Sequence, residues 1–212
     1  MVAAVVGVIS AASAAAATAQ RKGKAPKPAP LPELNQKVVE YARGQLGKKV
    51  ANGECTSLAV EALRTAGARR FGWERSGDFV WGRPVESFAD ALPGDILQFR
   101  DAVFQGKRML PGQRLQSWRQ EYAHHTAVVD QVRERDGEVV VLHQNVGKPG
   151  AEEAKKRLVK RDAIRPASLQ PGGRVWIYRP VAHDQEVAER AREGRPDPTT
   201  TSRGVNPCSG TP

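Results

Sequence analysis

The sequence predicts an α+β fold in which N-terminal helices pack on an antiparallel sheet of about five strands. Two observations predict it. Apolar residues first recur at helical spacing in two consecutive segments, and they then fill short Val-, Ile- and Tyr-rich segments separated by turn residues. Helices followed by a run of strands is an α+β element order. With 212 residues, the chain has room for one ordinary domain plus terminal extensions.

The two ends of the chain differ in composition from its middle. Residues 1–20 contain no Lys, Arg, Asp or Glu and end in small residues, which is typical of a signal peptide cut after Ala19. The run is too short and Ala-rich to favour a membrane anchor, so no stable membrane span is expected. A Lys/Pro linker follows over 20–32, and residues 182–212 predict a disordered tail. We therefore expect one domain over 33–181, in a secreted or periplasmic (cell-envelope) protein.

Two helices open the predicted domain. The first is expected from Glu33 to about Gly47 and the second from about Glu54 to Ala66. Each contains apolar residues three or four positions apart, which form one buried stripe on a helix. Asn52-Gly53 supplies a turn before the second helix, and Gly67 ends it.

The strands follow the helices. They are short, rich in β-branched residues and bounded by turn signals, and they are expected at Asp95–Phe99, Thr126–Val132, Val139–Leu142, Arg157–Val159 and Arg174–Tyr178. Asp95, behind Pro93-Gly94, is expected to close the turn before its strand. The stretch 101–121 is polar and long for a connection, which predicts an excursion bordering a cleft.

The net charge is strongly positive. Lys and Arg number 33 against 23 Asp and Glu, which gives +10 at neutral pH. Such an excess suits an acidic wall polymer, a membrane surface or nucleic acid. Because the sequence contains no recognisable nucleic-acid-binding module, the expected partner is an anionic cell-wall polymer or a peptide substrate. The sequence does not indicate an oligomeric state.

Neither a disulfide scaffold nor a metal site is expected. The two cysteines are Cys55, in the patterned region, and Cys208, in the tail, and a bridge between them stays open. The four His and two Cys show no ligand spacing, and the adjacent His124 and His125 would point to opposite faces of a strand. No phosphate-binding loop is present, so no cofactor is expected.

Cys55 is the candidate nucleophile. A thiol attacks as thiolate, and the unpaired N–H groups and dipole of a helix N-terminus lower its pKa. Gly53 lets the chain turn sharply into the second helix, so Cys55 occupies the first helical turn. The alternative is that Cys55 only continues the apolar stripe of that helix.

His125 is the candidate base. It begins the buried-looking strand Thr126–Val132, a position that would hold an imidazole rigidly, whereas His124 is expected to be structural or solvated. Cys–His pairing requires hydrogen-bond reach and a third group that orients the ring.

His143 and Asn145 are the candidates for that third group. A three-residue loop over residues 135–137 would pair Glu134 with Glu138, and on that register His125, His143 and Asn145 share one face, with Asn145 the nearer to His125. A two-residue turn would put His125 on the other face.

These segments together resemble the NlpC and CHAP families of papain-like cysteine amidases and peptidases. The matching segments, in order, are Gly53-Glu54-Cys55, Pro93-Gly94-Asp95, His125-Thr126-Ala127-Val128-Val129, and then His143 or Asn145. A His in the third place is similar to the NlpC pattern, whereas Gln144-Asn145 is similar to the CHAP ending. The resemblance implies a papain-like fold and amide or peptide hydrolysis, with peptidoglycan as substrate.

A closer resemblance is to the cysteine-proteinase-fold domain of BBC/AIM type. It spans roughly 34–181 and rests on Gly53-Glu54-Cys55-Thr56, Asp78-Phe79-Val80-Trp81-Gly82, Gly94–Phe99, His125–Val129, Gln144-Asn145-Val146 and Gly173–Pro180. This resemblance implies an interaction module that kept a triad. Two functions therefore stay open, namely a secreted cysteine hydrolase and a non-catalytic binding module, beside a structural domain without a triad.

Overall fold

A computed structural model describes residues 30–69, 72–73, 78–147 and 150–183, with only the backbone described at 72–73. The chain divides into two units after Pro30, and all the described helices and strands belong to the second unit. The expected signal peptide, most of the linker and nearly all of the tail, including Cys208, lie outside the described residues. No helix among those residues is long and apolar enough to cross a membrane.

Two helices begin the fold. Helix α1 (Glu33–Gly44) carries Glu33 in its first turn and Arg43 in its last, which complements the helix dipole. It ends three residues earlier than the predicted Gly47, because Gly47 turns away and donates its N–H to Val159 O at 2.9 Å. Helix α2 (Cys55–Ala66) ends at Gly67, whose φ of 76° is left-handed as in a common helix cap.

Eight strands follow among the described residues, with a one-turn helix α3 (Glu153–Lys156) between the sixth and the seventh. They are β1 (Gly72–Trp73), β2 (Phe79–Val80), β3 (Arg83–Val85), β4 (Ile96–Leu110), β5 (Arg114–Arg133), β6 (Glu138–His143), β7 (Lys160–Ile164) and β8 (Arg174–Arg179). β1 and β2 form a small antiparallel pair. The other six form one antiparallel sheet in the order β3-β8-β4-β5-β6-β7.

Two strand predictions were wrong. The strand expected at Arg157–Val159 is β7, three residues further on, because α3 and its C-terminal turn occupy the chain up to Arg157. The expected excursion at 101–121 is instead a continuous hairpin in which β4 and β5 stay paired up to Leu110 and Arg114. Most residues of this hairpin are polar and exposed, so the sequence there lacks the alternation of apolar and polar residues that predicts a strand.

The hairpin loop between β5 and β6 is longer than predicted. A 3-10 turn over Glu134–Asp136 and the left-handed Gly137 make a four-residue loop, so Arg133 pairs with Glu138. The predicted partner was Glu134. The longer loop by itself moves the pairing of β5 with β6 by one residue from the predicted register. A shift of one residue would place His125 and His143 on opposite faces of the sheet.

A β-bulge at Asp130 moves the register by one further residue, so that Val128 pairs with Leu142. Asp130 is buried, and it receives hydrogen bonds from Arg43 at its carboxylate (2.6 Å) and at its main-chain carbonyl (2.9 Å). Arg161 on β7 binds the other carboxylate oxygen at 2.8 Å. The bulge thus joins α1 to the sheet.

The six-stranded sheet has a hydrophobic core on each face. On one face, α1 and α2 pack against Ile96, Val128 and Leu142. On the other face, the core contains Phe99 and Phe104 and is covered by residues around the 3-10 turns and by the base of the β4–β5 hairpin. The α+β fold with N-terminal helices on an antiparallel sheet is confirmed, with six strands in the main sheet instead of about five.

The Pro93-Gly94-Asp95 turn fixes α1 at the start of β4. Asn35 on α1 donates to Pro93 O at 3.0 Å and to Asp95 Oδ1 at 2.7 Å, and Arg179 binds both carboxylate oxygens of Asp95. Gly94 has φ +86°, and a Cβ there would lie 2.1 Å from Asn35 O. Two separate reasons therefore require a glycine at position 94: the left-handed backbone conformation and the close approach of the Asn35 main chain.

We predict that Gly94→Ala lowers the free energy of unfolding by about 3 kcal/mol or more, because it adds a backbone overlap to the left-handed conformation. Gly112→Ala is the matched control, since Gly112 has φ +78° but no atom within 4 Å of the place that an added methyl carbon would occupy. It should cost only about 1 kcal/mol. Urea unfolding measures both, and equal losses would contradict the close-approach argument.

Candidate functional site

The turn before α2 positions Cys55 as the first residue of that helix. Gly53 has φ +87°, and a Cβ there would lie 2.9 Å from the Arg157 side chain, so only glycine fits. The Asn52 side chain accepts hydrogen bonds from Glu54 N (3.1 Å) and Ser57 Oγ (2.5 Å), which orders the first helical turn. Cys55 is half-buried.

Gln144 ties this turn to the end of β6. Its side chain is fully buried; it accepts from Val50 N at 3.1 Å and donates to Val50 O at 3.1 Å and Glu54 O at 2.7 Å. Glu54 precedes Cys55, and Gln144 follows His143. The segment carrying the candidate nucleophile is therefore anchored directly beside the strand carrying His143.

His125 and His143 are in direct contact. His125 Nε2 lies 3.1 Å from His143 Nδ1, and His143 Nε2 lies 2.9 Å from Asp162 Oδ2 on β7. The three side chains form a hydrogen-bonded chain across β5, β6 and β7. Asp162, which extends this chain, was not predicted from the sequence.

Hydrogen-bond donors and acceptors fix the protons in this chain. The Asp162 carboxylate can only accept, so His143 carries a proton on Nε2, and in a neutral His143 ring Nδ1 is then an acceptor. His125 must then donate from Nε2, and its Nδ1 holds the lone pair. The basic atom of His125 is therefore Nδ1.

Burial keeps His125 neutral. Its ring is 5% exposed and packs against Phe99 and against Tyr122, whose ring stacks on it at 5.1 Å between centroids. Loss of hydration, and next the nearby His143 and His124, hold the pKa of His125 well below its ordinary value. The hydrogen bond from His143 lowers the pKa of Asp162, against the opposing effect of partial burial.

Asn145 lies on the Cys55 side of the site. It has φ +60° and donates to the Glu54 carboxylate at 2.9 Å. Arg157 binds the same carboxylate at 2.9 Å and Asn52 O at 3.0 Å. Asn145 was expected to lie nearer to His125 than His143 does, whereas His143 is the residue in contact with that ring and Asn145 holds the turn before Cys55.

The neighbouring His124 belongs to a separate polar cluster. Its ring stacks on Phe79 at 5.7 Å and lies 3.6 Å from Asp78, which Arg100 also binds at 2.8 Å. Partial burial and Arg100 lower the pKa of His124, against opposing effects of Asp78 and Asp101. In the described part of the chain, no group of three or more His, Cys, Asp or Glu could hold a metal ion.

The family model of the AIM3/BBC1 cysteine proteinase-fold domain matches residues 31–191, which is more than half of the chain. The chain belongs to this family. The sequence-based assignment to the BBC/AIM type is therefore confirmed, as is the papain-like fold. No curated protein and no solved structure matches the chain.

Sequence reasoning about this AIM3/BBC1 domain missed four residues that shape the site. They are Glu54, Gln144, Arg157 and Asp162. The sequence contained a signal for Gln144, since a polar residue that continues an apolar strand is either exposed or buried with its polar atoms hydrogen-bonded. Asp162 had none, because its strand was predicted in the wrong place. The pairing of the Cys55 thiol with His125 stays a prediction.

We predict that His125 makes the domain less stable as the pH falls below about 6.5, the unfolded pKa of histidine. Its folded pKa is lower than this value, so the unfolded state binds the proton first and stability is lost on acidification. The slope is at most about 1.4 kcal/mol per pH unit per proton. Urea unfolding between about pH 7 and pH 5 should show a flatter profile in His125→Gln.

The control for this profile is His183→Gln, since His183 is exposed. It should leave the pH dependence of unfolding as in the unmodified protein. A His125→Gln profile as steep as that of the control would contradict a neutral, buried His125.

Proposed function

We propose that the domain is a cysteine hydrolase that cleaves amide or peptide bonds by acyl transfer to Cys55. One observation carries the proposal. The Asp162–His143–His125 chain leaves Nδ1 of His125 as the basic atom, and Gln144, which follows His143, is hydrogen-bonded to Glu54 O immediately before Cys55. A base oriented by a second group and a cysteine at a helix N-terminus are the parts of a Cys–His site.

The reaction would run in two halves. His125 Nδ1 takes the proton of the Cys55 thiol, and the thiolate attacks the substrate carbonyl. His125 then gives the proton to the leaving amine, and a thioester forms on Cys55. Water, deprotonated by His125, releases the acid and restores the thiol. The amino end of α2 would stabilise the developing oxyanion through its dipole.

Peptide cross-links of peptidoglycan are the substrate we propose. The NlpC and CHAP resemblance and the net charge of +10, which favours encounter with an anionic wall polymer, support this choice. The uncharged residues 1–20 support export to the cell envelope.

A non-catalytic interaction module is the second candidate, and a specific observation favours it. His125 is only 5% exposed and is enclosed by Phe99 and Tyr122, whereas a working base must reach a substrate. In this function the histidine chain would stabilise the fold and the thiol would be inert.

We predict that Cys55 in a Cys208→Ser background is alkylated quickly well below the free-thiol pKa of about 8.5, and that His125→Ala slows this at least tenfold. A neutral His125 would accept the thiol proton at Nδ1 as the sulfur attacks, which explains both effects. The rate of iodoacetamide labelling against pH measures it, with His183→Ala as control. A slow rate that rises only near pH 8.5 and ignores His125 would support the interaction module.

Turnover separates the two functions further. Peptidoglycan digestion should disappear in Cys55→Ala, while binding to the polymer persists. Fast alkylation without digestion would retain the activated thiol and reject the proposed substrate.

We predict that Asp162→Asn lowers the alkylation rate near neutral pH by about tenfold or more. The new amide can donate to His143 Nε2, which reverses the proton order and moves the proton of His125 onto Nδ1. Asp162 would then act as a positioning residue, and the acidic limb of the pH–rate profile should shift. Asp136→Asn, in the exposed β5–β6 loop, is the control. An unchanged profile would show that Asp162 only supports the fold.

A further inference from the structure

The β4–β5 hairpin extends beyond the rest of the sheet as an arm, defined here as residues 104–120. At its end, Met109 and Leu115 are paired directly across the two strands and are 64% and 56% exposed. Only one other large hydrophobic residue in the described part of the chain is exposed, Leu46 at 44%. Scattered exposed apolar residues are ordinary, but an adjacent pair at a hairpin tip is a small apolar patch.

The arm is also basic. It contains Lys107, Arg108, Arg114 and Arg119, all exposed, and no Asp or Glu. Arg108 binds the Gln116 side chain at 2.7 Å, and Arg119 binds Gln105 at 2.8 Å and the Glu121 carboxylate just outside the arm. Lys107-Arg108 directly precedes Met109, and Arg114 directly precedes Leu115, so cations flank the apolar pair on both strands.

The base of the arm is fixed to the domain. Phe104 is fully buried, and Val103 O accepts from Gln170 N at 2.8 Å. On the second strand of the arm, Gln120 donates to the main-chain O of Ala163, on β7, at 3.2 Å. Gly106 lets the Trp118 ring lie across the arm, since a Cβ at 106 would be 3.1 Å from that ring. The tip is therefore presented by a hairpin held from both strands.

We propose that this arm docks the domain on an anionic lipid membrane. Met109 and Leu115 enter the boundary between headgroups and acyl chains, while the four cations contact the anionic headgroups. An apolar tip with a basic surround is the combination that binds a bilayer interface. The hairpin bonds its own backbone groups across the strands, so a shallow insertion leaves few of them unsatisfied.

The apolar pair distinguishes a membrane from an acidic polymer. A polymer in water engages the cations alone and gains nothing from Met109 or Leu115. A bilayer surface engages both, and each cation near an anionic surface raises the partition constant about fivefold. Two exposed apolar side chains surrounded by cations favour the membrane as the occupant.

The experiment is sedimentation of the full chain with phosphatidylcholine vesicles containing about 30% phosphatidylserine, compared with vesicles of phosphatidylcholine alone. Binding is expected to the anionic vesicles. Met109→Ser with Leu115→Ser should weaken it about tenfold or more, and Lys107→Gln with Arg114→Gln should weaken it by a similar factor. Leu46→Ser and Lys155→Gln are the matched controls, being exposed residues outside the arm, and should bind as the unmodified protein does.

Soluble polyglutamate is the second probe. If the cation variants lose polyglutamate and vesicle binding together while the Met109/Leu115 variant keeps both, the arm binds acidic polymers and the membrane proposal is overturned. Vesicle binding that is equal in all arm variants and controls would also overturn it. Thermal unfolding at an unchanged midpoint in each variant shows that the changes act on binding and not on folding.

Discussion

The buried side chain of Gln144 is the interaction on which the site depends. Gln144 directly follows the last residue of β6. Its side-chain amide forms hydrogen bonds with three main-chain groups of the turn that leads into α2. Without it, the N–H of the buried Val50 would lose its partner, at a cost of about 1–3 kcal/mol, whereas Val50 O and Glu54 O would keep their bonds from Gly53 N and Ser57 N. The same amide links the start of α2 to the end of β6. The helix start and the histidine pair are therefore positioned by one side chain that belongs to neither.

A second constraint acts through the buried polar groups around the sheet. Asp95 and Asp130 are both buried; Asp95 binds Arg179, and Asp130 binds Arg43 and Arg161. Breaking such a pair leaves a buried charge, which is strongly destabilising. Each aspartate joins a helix or the last strand to the middle of the sheet, so the helices cannot slide over the sheet without losing these bonds. The histidine chain lies within this rigid frame.

The fold class followed from features that are local in sequence. Helical spacing in α1 and α2 and the glycine at the end of α2 are set within a few residues, and the structure has them nearly where expected. β7 was misplaced because Arg157–Val159 has strand-forming residues but follows a helical turn. The paired arm was missed because its stability comes from hydrogen bonds between strands, and these leave no pattern in polar residues.

The site was predictable only where residue type alone limits the chemistry. Cys55, His125 and His143 were candidates because thiol and imidazole groups at element ends are few in this chain. Asp162 and Arg157 reach the site through tertiary contacts from a region whose strand was misassigned, so nothing local marked them. Whether His143 or Asn145 contacts His125 depended on the register between two strands, and the two one-residue shifts, in the loop and at the bulge, decide it.

The bulge at Asp130 and the four-residue loop after β5 have a joint consequence for how this family can vary. Each shifts the strand by one residue, and only the pair of shifts keeps both imidazoles on the same side of the sheet. A relative that gains or loses one residue in the loop must therefore gain or lose the bulge as well, or lose contact between the histidines. Insertions and deletions at these two places, which lie close together in the chain, should be inherited together as one unit.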